Sequence, residues 1–375
     1  MQNGLSHGIN PPYGAPAPGS LEAECRALGI DPAGVADFAA NINPLGPPRC
    51  LEAVAAQAVK LACTYPDPDC TRARAAIAHA HNVPPESILL GNGATELLHL
   101  ITRAFRSEKT LVLGPTCQDY ARAAELAGSQ VHLKVASAGR LFRHDLEAMH
   151  QVSDYHLVVM GNPNDPTGTF TRPTDIVEWA AGNPETFFLI DETYVDFVDR
   201  PGASLIGIDG RVAGNVVVVK SFSRFFAIPG LRLGMAWATP EVIGVLASRR
   251  ERWSVNAVAQ KMAESLYDEQ GYIAATSRLM SQERSFLTRG LTQLGFRVFD
   301  SPGNFMLLRI ELKGVTSAAL RPLVLRNGVF VRDCSDFEGL GSQFLRVAVR
   351  RHDENERLLD AVEKALQSNN EGVRG

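Results

Sequence analysis

Between residues 81 and 221 the chain alternates short, nearly continuous apolar runs with longer segments whose apolar residues recur at helical spacing. TLVLGP (110–115), YHLVVMGNP (155–163), TFFLIDE (186–192) and NVVVVKS (215–221) are such runs, each ending among Gly, Pro, Asn, Asp or Ser. Runs without polar alternation predict strands buried on both faces. The helix-length spacers between them predict an α/β fold with a mostly parallel sheet covered on both sides. Upstream, HNVPPESILLGNGATELLHLITRAF predicts a short strand at Ile88–Leu90, a Gly-Asn-Gly turn and an amphipathic helix. In open sheets of this kind ligands bind beyond the carboxyl ends of the strands, which singles out Asn162, Asp191 and Ser221.

Near residue 280 the pattern changes. SQERSFLTRGLTQLGF predicts a helix, RVFDSPGNFMLLRIEL, GVFVRDCS and QFLRVAVR predict strands, and DENERLLDAVEKALQ predicts a closing helix whose acidic start suits the helix dipole. The expected division is an N-terminal arm and small-domain segment over 1–45, a large domain over 46–280 and a small α+β unit over 281–370.

Composition narrows the function classes. With 375 residues and 45% apolar content the chain can bury a substantial core. Net charge is −4 and no long basic block occurs, so neither nucleic acid nor a membrane surface is an expected partner. The six cysteines show no C-x-x-C pair and the nine histidines no ligand spacing, so neither a disulfide framework nor a metal site is expected. The Pro- and Gly-rich N-terminus lacks the order of a signal peptide and no apolar run approaches bilayer length, so the expected location is cytoplasmic.

The strand ends carry candidate anion-binding groups. GNGATE (91–96) places the backbone N–H groups of Ala94 and Thr95 at a helix start, where they either face an anion or form an ordinary strand-to-helix turn. Ser221, Ser223 and Arg232 in VVVVKSFSRFFAIPGLRLG (216–234) make a reasonable phosphate clamp; alternatively the serines cap the next element and Arg232 meets a surface acid. Asp191 follows a buried strand and needs a partner, such as a protonated pyridine nitrogen, unless it is a solvated loop acid. Tyr194 either presents its phenol to the same ligand or packs.

In combination these motifs are more specific. GNGATE, NPNDPTG, DETYVDF, SFSR-x-x-AIPGLRLG and FLRVAVR follow the order and spacing of fold-type I pyridoxal-phosphate enzymes, and nearly the whole chain resembles the class I/II aminotransferases. Within them it is similar to the histidinol-phosphate aminotransferase branch and most resembles threonine-phosphate decarboxylases, through HGIN, DFAANINPLG, YPDPD and VRDCSDFEGLG. The resemblance implies a large domain on a mostly parallel seven-stranded sheet, a small α+β domain, a homodimer, and pyridoxal 5'-phosphate as cofactor. It also implies site roles. Ala94, Thr95, Ser221, Ser223 and Arg232 hold the cofactor phosphate, joined by Tyr65 from the other subunit. Asp191 pairs with the ring nitrogen and Tyr194 with the ring oxygen. Arg346 grips a substrate carboxylate, and Arg332, Asn41 and His7 face a substrate phosphate or the closing N-terminal segment. The implied substrate is a small anionic amino acid carrying a phosphate or phosphonate.

Three positions depart from that pattern. Arg224 stands where the imine-forming lysine belongs, and a guanidinium, protonated at all working pH, cannot form the internal aldimine. Asp165 replaces an asparagine that donates to the ring oxygen, and an ionised carboxylate only accepts. Cys117 replaces the aromatic residue that stacks on the ring. Asp165 and Arg224 are therefore expected to pair with each other. Lys220, at the strand end, is either a substitute nucleophile or a solvated lysine closing a strand. Three functions remain open on these residues: a lyase or transferase using pyridoxal phosphate without its own lysine, a non-catalytic or regulatory homologue, and cofactor-free chemistry in an arginine-rich pocket.

Overall fold

A computed structural model describes residues 19–105, 107–208 and 214–374. In chain order the strands are β1 (Ala36–Asp37), β2 (Ile88–Asn92), β3 (Lys109–Gly114), β4 (Gln130–Val135), β5 (Leu157–Gly161), β6 (Phe187–Asp191), β7 (Val216–Ser221), β8 (Leu233–Trp237), β9 (Phe296–Val298), β10 (Phe305–Ile310), β11 (Val329–Phe330), β12 (Arg332–Asp333) and β13 (Phe344–Ala348). The expected mostly parallel sheet is present: seven strands in the order β2-β8-β7-β6-β5-β3-β4, in which only β8 runs antiparallel to its neighbours. Burial on both faces explains the unbroken apolar runs. Along β7, Val216 and Val218 enter one core cluster, whereas Val217 and Val219 enter another on the opposite face.

The C-terminal part forms an antiparallel sheet, β12-β13-β10-β9, carried on the long Gln270–Gln293 helix and the helix beginning at His352. The segment GVFVRDCS, expected as one strand, divides at Val331. β11 pairs in parallel with β1, and β12 pairs with β13. One apolar cluster runs from Ile88 and Val218 in the large sheet to Leu308 and Val347 in the small one, so the two sheets share a core. Among the described residues no helix is long and apolar enough to cross a membrane.

Strand direction builds the site. β2 ends at the same edge as β5, β6 and β7, and β8, running the other way, begins there. Register then sets Asn92 beside Leu233, Gly234 beside Ser221, and Gly161 beside Asp191. Five segments distant in sequence thus converge on one sheet edge.

Candidate active site

The first group at this edge is an anion cradle. The Ala94–Ala104 helix starts from Gly93, at φ +81°, and no side chain caps it, so its first N–H groups face the edge without a capping side-chain acceptor. The Arg232 guanidinium packs directly over Gly93, where a Cβ would collide with Nη2. A Cβ on Gly234 would lie 2.5 Å from the Ala94 nitrogen, so glycine is also required for β8 to approach the helix start. Ser221 Oγ accepts from Ser223 N–H at 3.2 Å, and Ser223 Oγ is buried without a partner. A helix N-terminus, a guanidinium, a hydroxyl and an orphaned buried hydroxyl together fit a phosphate.

Next along the edge is Asp191. Its Oδ1 accepts from Thr193 N–H (2.8 Å) and Thr193 Oγ1 (2.5 Å), and its Oδ2 accepts from Tyr120 Oη at 2.8 Å. Burial raises the Asp191 carboxyl above the ordinary carboxylate range, although the Thr193 and Tyr120 bonds pull the other way. Tyr120 and Thr193 were not among the sequence candidates; Tyr120 lies one helical turn beyond Cys117, on the helix face that returns to the sheet. Cys117 precedes that Gln118–Leu126 helix, and burial, followed by the charge of Asp119, pushes its thiol up to about 12. Burial thus keeps this thiol in its neutral form.

The third group corrects an expectation. Asp165 does not pair with Arg224: its Oδ1 accepts from Arg346 Nη1, and its Oδ2 accepts from Tyr194 Oη at 3.1 Å. Arg346 Nη2 donates to the Ala39 carbonyl at 2.6 Å, and the guanidinium lies over the Phe305 ring, 5.7 Å from its centroid. The physical reason is reach. Arg346 stands on β13 next to β10, where Phe305 supports it from below, and the loop after β5 delivers Asp165 to its open end. Asn41 Nδ2 donates to Tyr194 Oη at 3.2 Å, which ties the N-terminal segment into the same chain. Burial, then the charge of Asp165, keeps the Tyr194 phenol well above its ordinary value. Arg224 is half-buried near this phenol; among the described residues no carboxylate lies within 4.0 Å of its guanidinium.

Of the other candidates, Arg332 stands opposite Arg346 in the β12–β13 register, whereas Lys220 and Tyr65 fall elsewhere. Lys220 lies on the opposite face of β7 from Ser221, 1% exposed, with Nζ 2.6 Å from Asp196 Oδ1 and 5.5 Å from the Tyr267 ring centroid. Burial alone would lower its pKa, but Asp196 and Tyr267 outweigh it and the amine is held protonated. Contrary to the expected solvated lysine, it is a strand lysine in a buried ion pair, turned away from the Ser221 side, because Asp196 supplies the countercharge that burial requires. Arg332 pairs with Asp336 at 2.7 Å and lies over Phe337. Tyr65 is 83% exposed and its only aromatic neighbour among the described residues is Trp253, at 5.1 Å. His7 lies outside the described residues. A cavity of about 1000 Å³ between the segment after β4, the Pro173–Ala181 helix and β9 touches none of Asp191, Arg224, Arg232 or Arg346. Its lining mixes Arg143, Arg200, Asp145 and Asp300, so it favours neither sign of ligand.

The parallel sheet, the switch-point edge and the phosphate cradle define a protein of the fold-type I pyridoxal-phosphate class. The aminotransferase class I and II family matches residues 33–362, and the chain belongs to that family. It is 34% identical over 355 residues to a histidinol-phosphate aminotransferase of Anaeromyxobacter sp. (strain Fw109-5), covering 92% of this chain and 94% of that one. It is 29% identical over 357 residues to the threonine-phosphate decarboxylase of Salmonella typhimurium, covering 93% and 96%. The crystal structure of the histidinol-phosphate aminotransferase from Clostridium acetobutylicum superposes with a TM-score of 0.82 at 26% identity, over 89% of this chain and all of that one.

Proposed function

We propose that this chain holds pyridoxal phosphate reversibly, without a covalent lysine link, and acts in the manner of a threonine-phosphate decarboxylase on a small amino acid or amine bearing a phosphate or phosphonate. The carrying observation is the cradle: an uncapped helix start under Arg232, with Ser223 Oγ buried and unpaired. When bound, pyridoxal phosphate supplies an electron-withdrawing ring that weakens bonds at the amine-bearing carbon of a ligand. The chain's residues do the rest. Ala94, Thr95, Ser221, Ser223 and Arg232 hold the phosphate; Asp191, fixed by Tyr120 and Thr193, accepts from a protonated ring nitrogen. Arg224 contributes a fixed positive charge and cannot give up its proton. The exposed Tyr65–Trp253 pair is proposed to lie at a homodimer interface, with Tyr65 completing the partner's cradle.

A non-catalytic binding role is the second reading, favoured by the engagement of Arg346 with Asp165. Equilibrium dialysis against pyridoxal phosphate, followed by borohydride treatment and intact mass, tests the main reading. Saturable binding competed by inorganic phosphate, with no mass adduct, is expected. Absence of saturable binding into the millimolar range overturns it. Release of carbon dioxide from O-phosphothreonine separates an enzyme from a binder.

A further inference from the structure

We infer that the cavity beside β9 receives an extended peptide segment of a partner protein, which adds as a strand to the free edge of the small sheet and carries an apolar side chain flanked by an acid and a base. The inference stands apart from the cofactor reading, since this cavity shares neither the phosphate cradle nor Asp191 and Arg346.

β9 closes the sheet order β12-β13-β10-β9, so a strand covers one side of it only. Its pairing with β10 is antiparallel, with Val298 opposite Leu308. Phe299 N–H donates to the Leu307 carbonyl at 2.9 Å, and Glu311 N–H to the Gly295 carbonyl at 3.1 Å. Bonded and non-bonded pairs alternate along such a ladder, so Val298 falls on a non-bonded pair and turns its N–H and C=O away from β10. No other strand among the described residues pairs with β9 on that side. The consecutive residues Arg297, Val298, Phe299 and Asp300 all line the cavity. A cavity lying over one face of a strand would touch alternate residues; one that touches each in turn meets the strand's edge.

The lining indicates what pairs there. Leu113, Met160 and Trp179 are buried and give the cavity an apolar floor, and Leu141, 49% exposed, adds to it at the rim. Among the described residues, Arg143, Arg200 and Arg297 line it with no carboxylate within 4.0 Å, and Glu147, Glu178 and Asp300 line it with no cation within that distance. Arg200 lies over Phe170 and Arg297 over Phe299, at 5.9 and 5.2 Å from the ring centroids, which holds both guanidiniums in place. Unpaired charges of both signs around an apolar floor complement a ligand that carries both. The volume of about 1000 Å³ is at the upper end for ligand pockets, more than a single amino acid fills. A strand of about five residues, roughly 17 Å long, fits such a cleft and meets the free edge with its main chain. Residues 1–18 of this chain contain no Asp, Glu, Lys or Arg and cannot supply the charges, which points to another protein.

The test titrates the full-length protein into two fluorescein-labelled, C-terminally amidated pentapeptides, Glu-Thr-Leu-Thr-Arg and Arg-Thr-Leu-Thr-Glu, read by anisotropy; the two charge orders cover both strand directions. Saturable binding of at least one, with Kd below about 1 mM, is expected. N-methylation at the leucine or at the threonine after it, but not at both positions alike, should weaken binding about fivefold, because main-chain donors alternate in direction and one hydrogen bond is lost. Hydrogen exchange at the Val298 amide should be fast in the free protein and slowed by the peptide. Val298→Pro removes that N–H on an edge strand, where proline is tolerated, and should weaken binding by a similar factor; the other arms use the unaltered chain. Failure of both peptides to saturate overturns the inference, and so does equal tolerance of the two methylations, which would leave side-chain contacts alone. A Val298 amide already protected in the free protein also overturns it, since this chain or a second copy would then cover the edge.

Discussion

Replacing Lys220 by methionine should destabilise the protein by about 3 kcal/mol, because breaking one side of a buried ion pair leaves the other charge uncompensated. Lys220 is 1% exposed and the Asp196 side chain 17%, so solvent screens neither enough to remove the penalty. Asp196 Oδ1 loses its 2.6 Å partner, and Oδ2 already has none. Glu192 lies in the same network, accepting from Ser204 Oγ at 2.5 Å and Leu205 N–H at 2.7 Å, and burial raises its carboxyl to about 7. Without the lysine this cluster carries two acids and no cation. The double variant Lys220→Met with Asp196→Leu should recover to within about 1 kcal/mol of the wild type, since a buried pair is often replaceable by apolar groups of similar size. The sign against pH follows from the raised Lys220 pKa: the pair's contribution is complete below the unfolded value near 10.4 and is lost only as pH rises through the higher folded value. Urea unfolding at pH 7, read by the buried Trp179 and Trp237, measures the effect. A single-variant loss under about 1 kcal/mol, or a double variant no better than the single, would refute the reasoning and reopen Lys220 as a free amine.

Three further outcomes are expected. Arg232→Ala should weaken the competition of inorganic phosphate with pyridoxal phosphate by roughly 10- to 100-fold, the value of one charged hydrogen-bonding partner, with unfolding nearly unchanged; a change below threefold in competition dialysis would place the anion elsewhere. Gly234→Ala should lower stability by about 1–3 kcal/mol and abolish phosphate competition, since its Cβ would meet Ala94 backbone rather than a yielding side chain; retention of competition would mean that the helix start is not the cradle. His81, bonded to Tyr267 Oη at 3.0 Å, is pushed down to about 3, first by burial and then by Lys220. The unfolded chain therefore binds the proton first, and stability falls by up to about 1.4 kcal/mol per pH unit between about 6.5 and 3. His81→Gln should flatten that acid limb, and an unchanged slope in urea titrations across pH would count against the assignment.

The parts of the fold that were legible in the sequence are those where a strand is buried on both faces. Val216–Val219 and Leu157–Met160 could not have been read otherwise, because both faces demand apolar side chains. β4 and β8 were not among the expected strands. Gln130–Val135 is an edge strand with partly exposed positions, and Leu233–Trp237 contains the glycine that the helix approach requires. The cradle was legible because short motifs at strand ends stay together once the sheet forms. The partner of Asp165 was not. Opposite charge alone favoured Arg224, whereas the choice depends on where β13 and Phe305 hold Arg346, 181 positions further along the chain.

That correction changes what Arg224→Lys should do. With Asp165 expected on Arg224, the single change could not have freed the site; with Asp165 on Arg346, no carboxylate among the described residues lies within 4.0 Å of the Arg224 guanidinium, and a lysine there is not held by an ion pair. Arg224→Lys is therefore expected to yield a borohydride-fixed pyridoxal-phosphate adduct that peptide mapping assigns to residue 224, where the wild type yields none. The affinity should remain poor, because Tyr194 spends its proton on Asp165, and that carboxylate offers only acceptors toward the cofactor ring. A carboxylate facing a ring oxygenate at about 4 Å is disfavoured by up to roughly 4 kcal/mol at an effective dielectric of 20. Adding Asp165→Asn exchanges that repulsion for a donor while its Oδ1 still accepts from Arg346. Half-saturation should then fall by at least about tenfold, equivalent to about 1.4 kcal/mol. Titrating cofactor against trapped adduct in the two variants measures the difference. Equal half-saturation would remove Asp165 from the ring's surroundings, and a wild-type adduct mapping to Lys220 would end the lysine-free reading altogether.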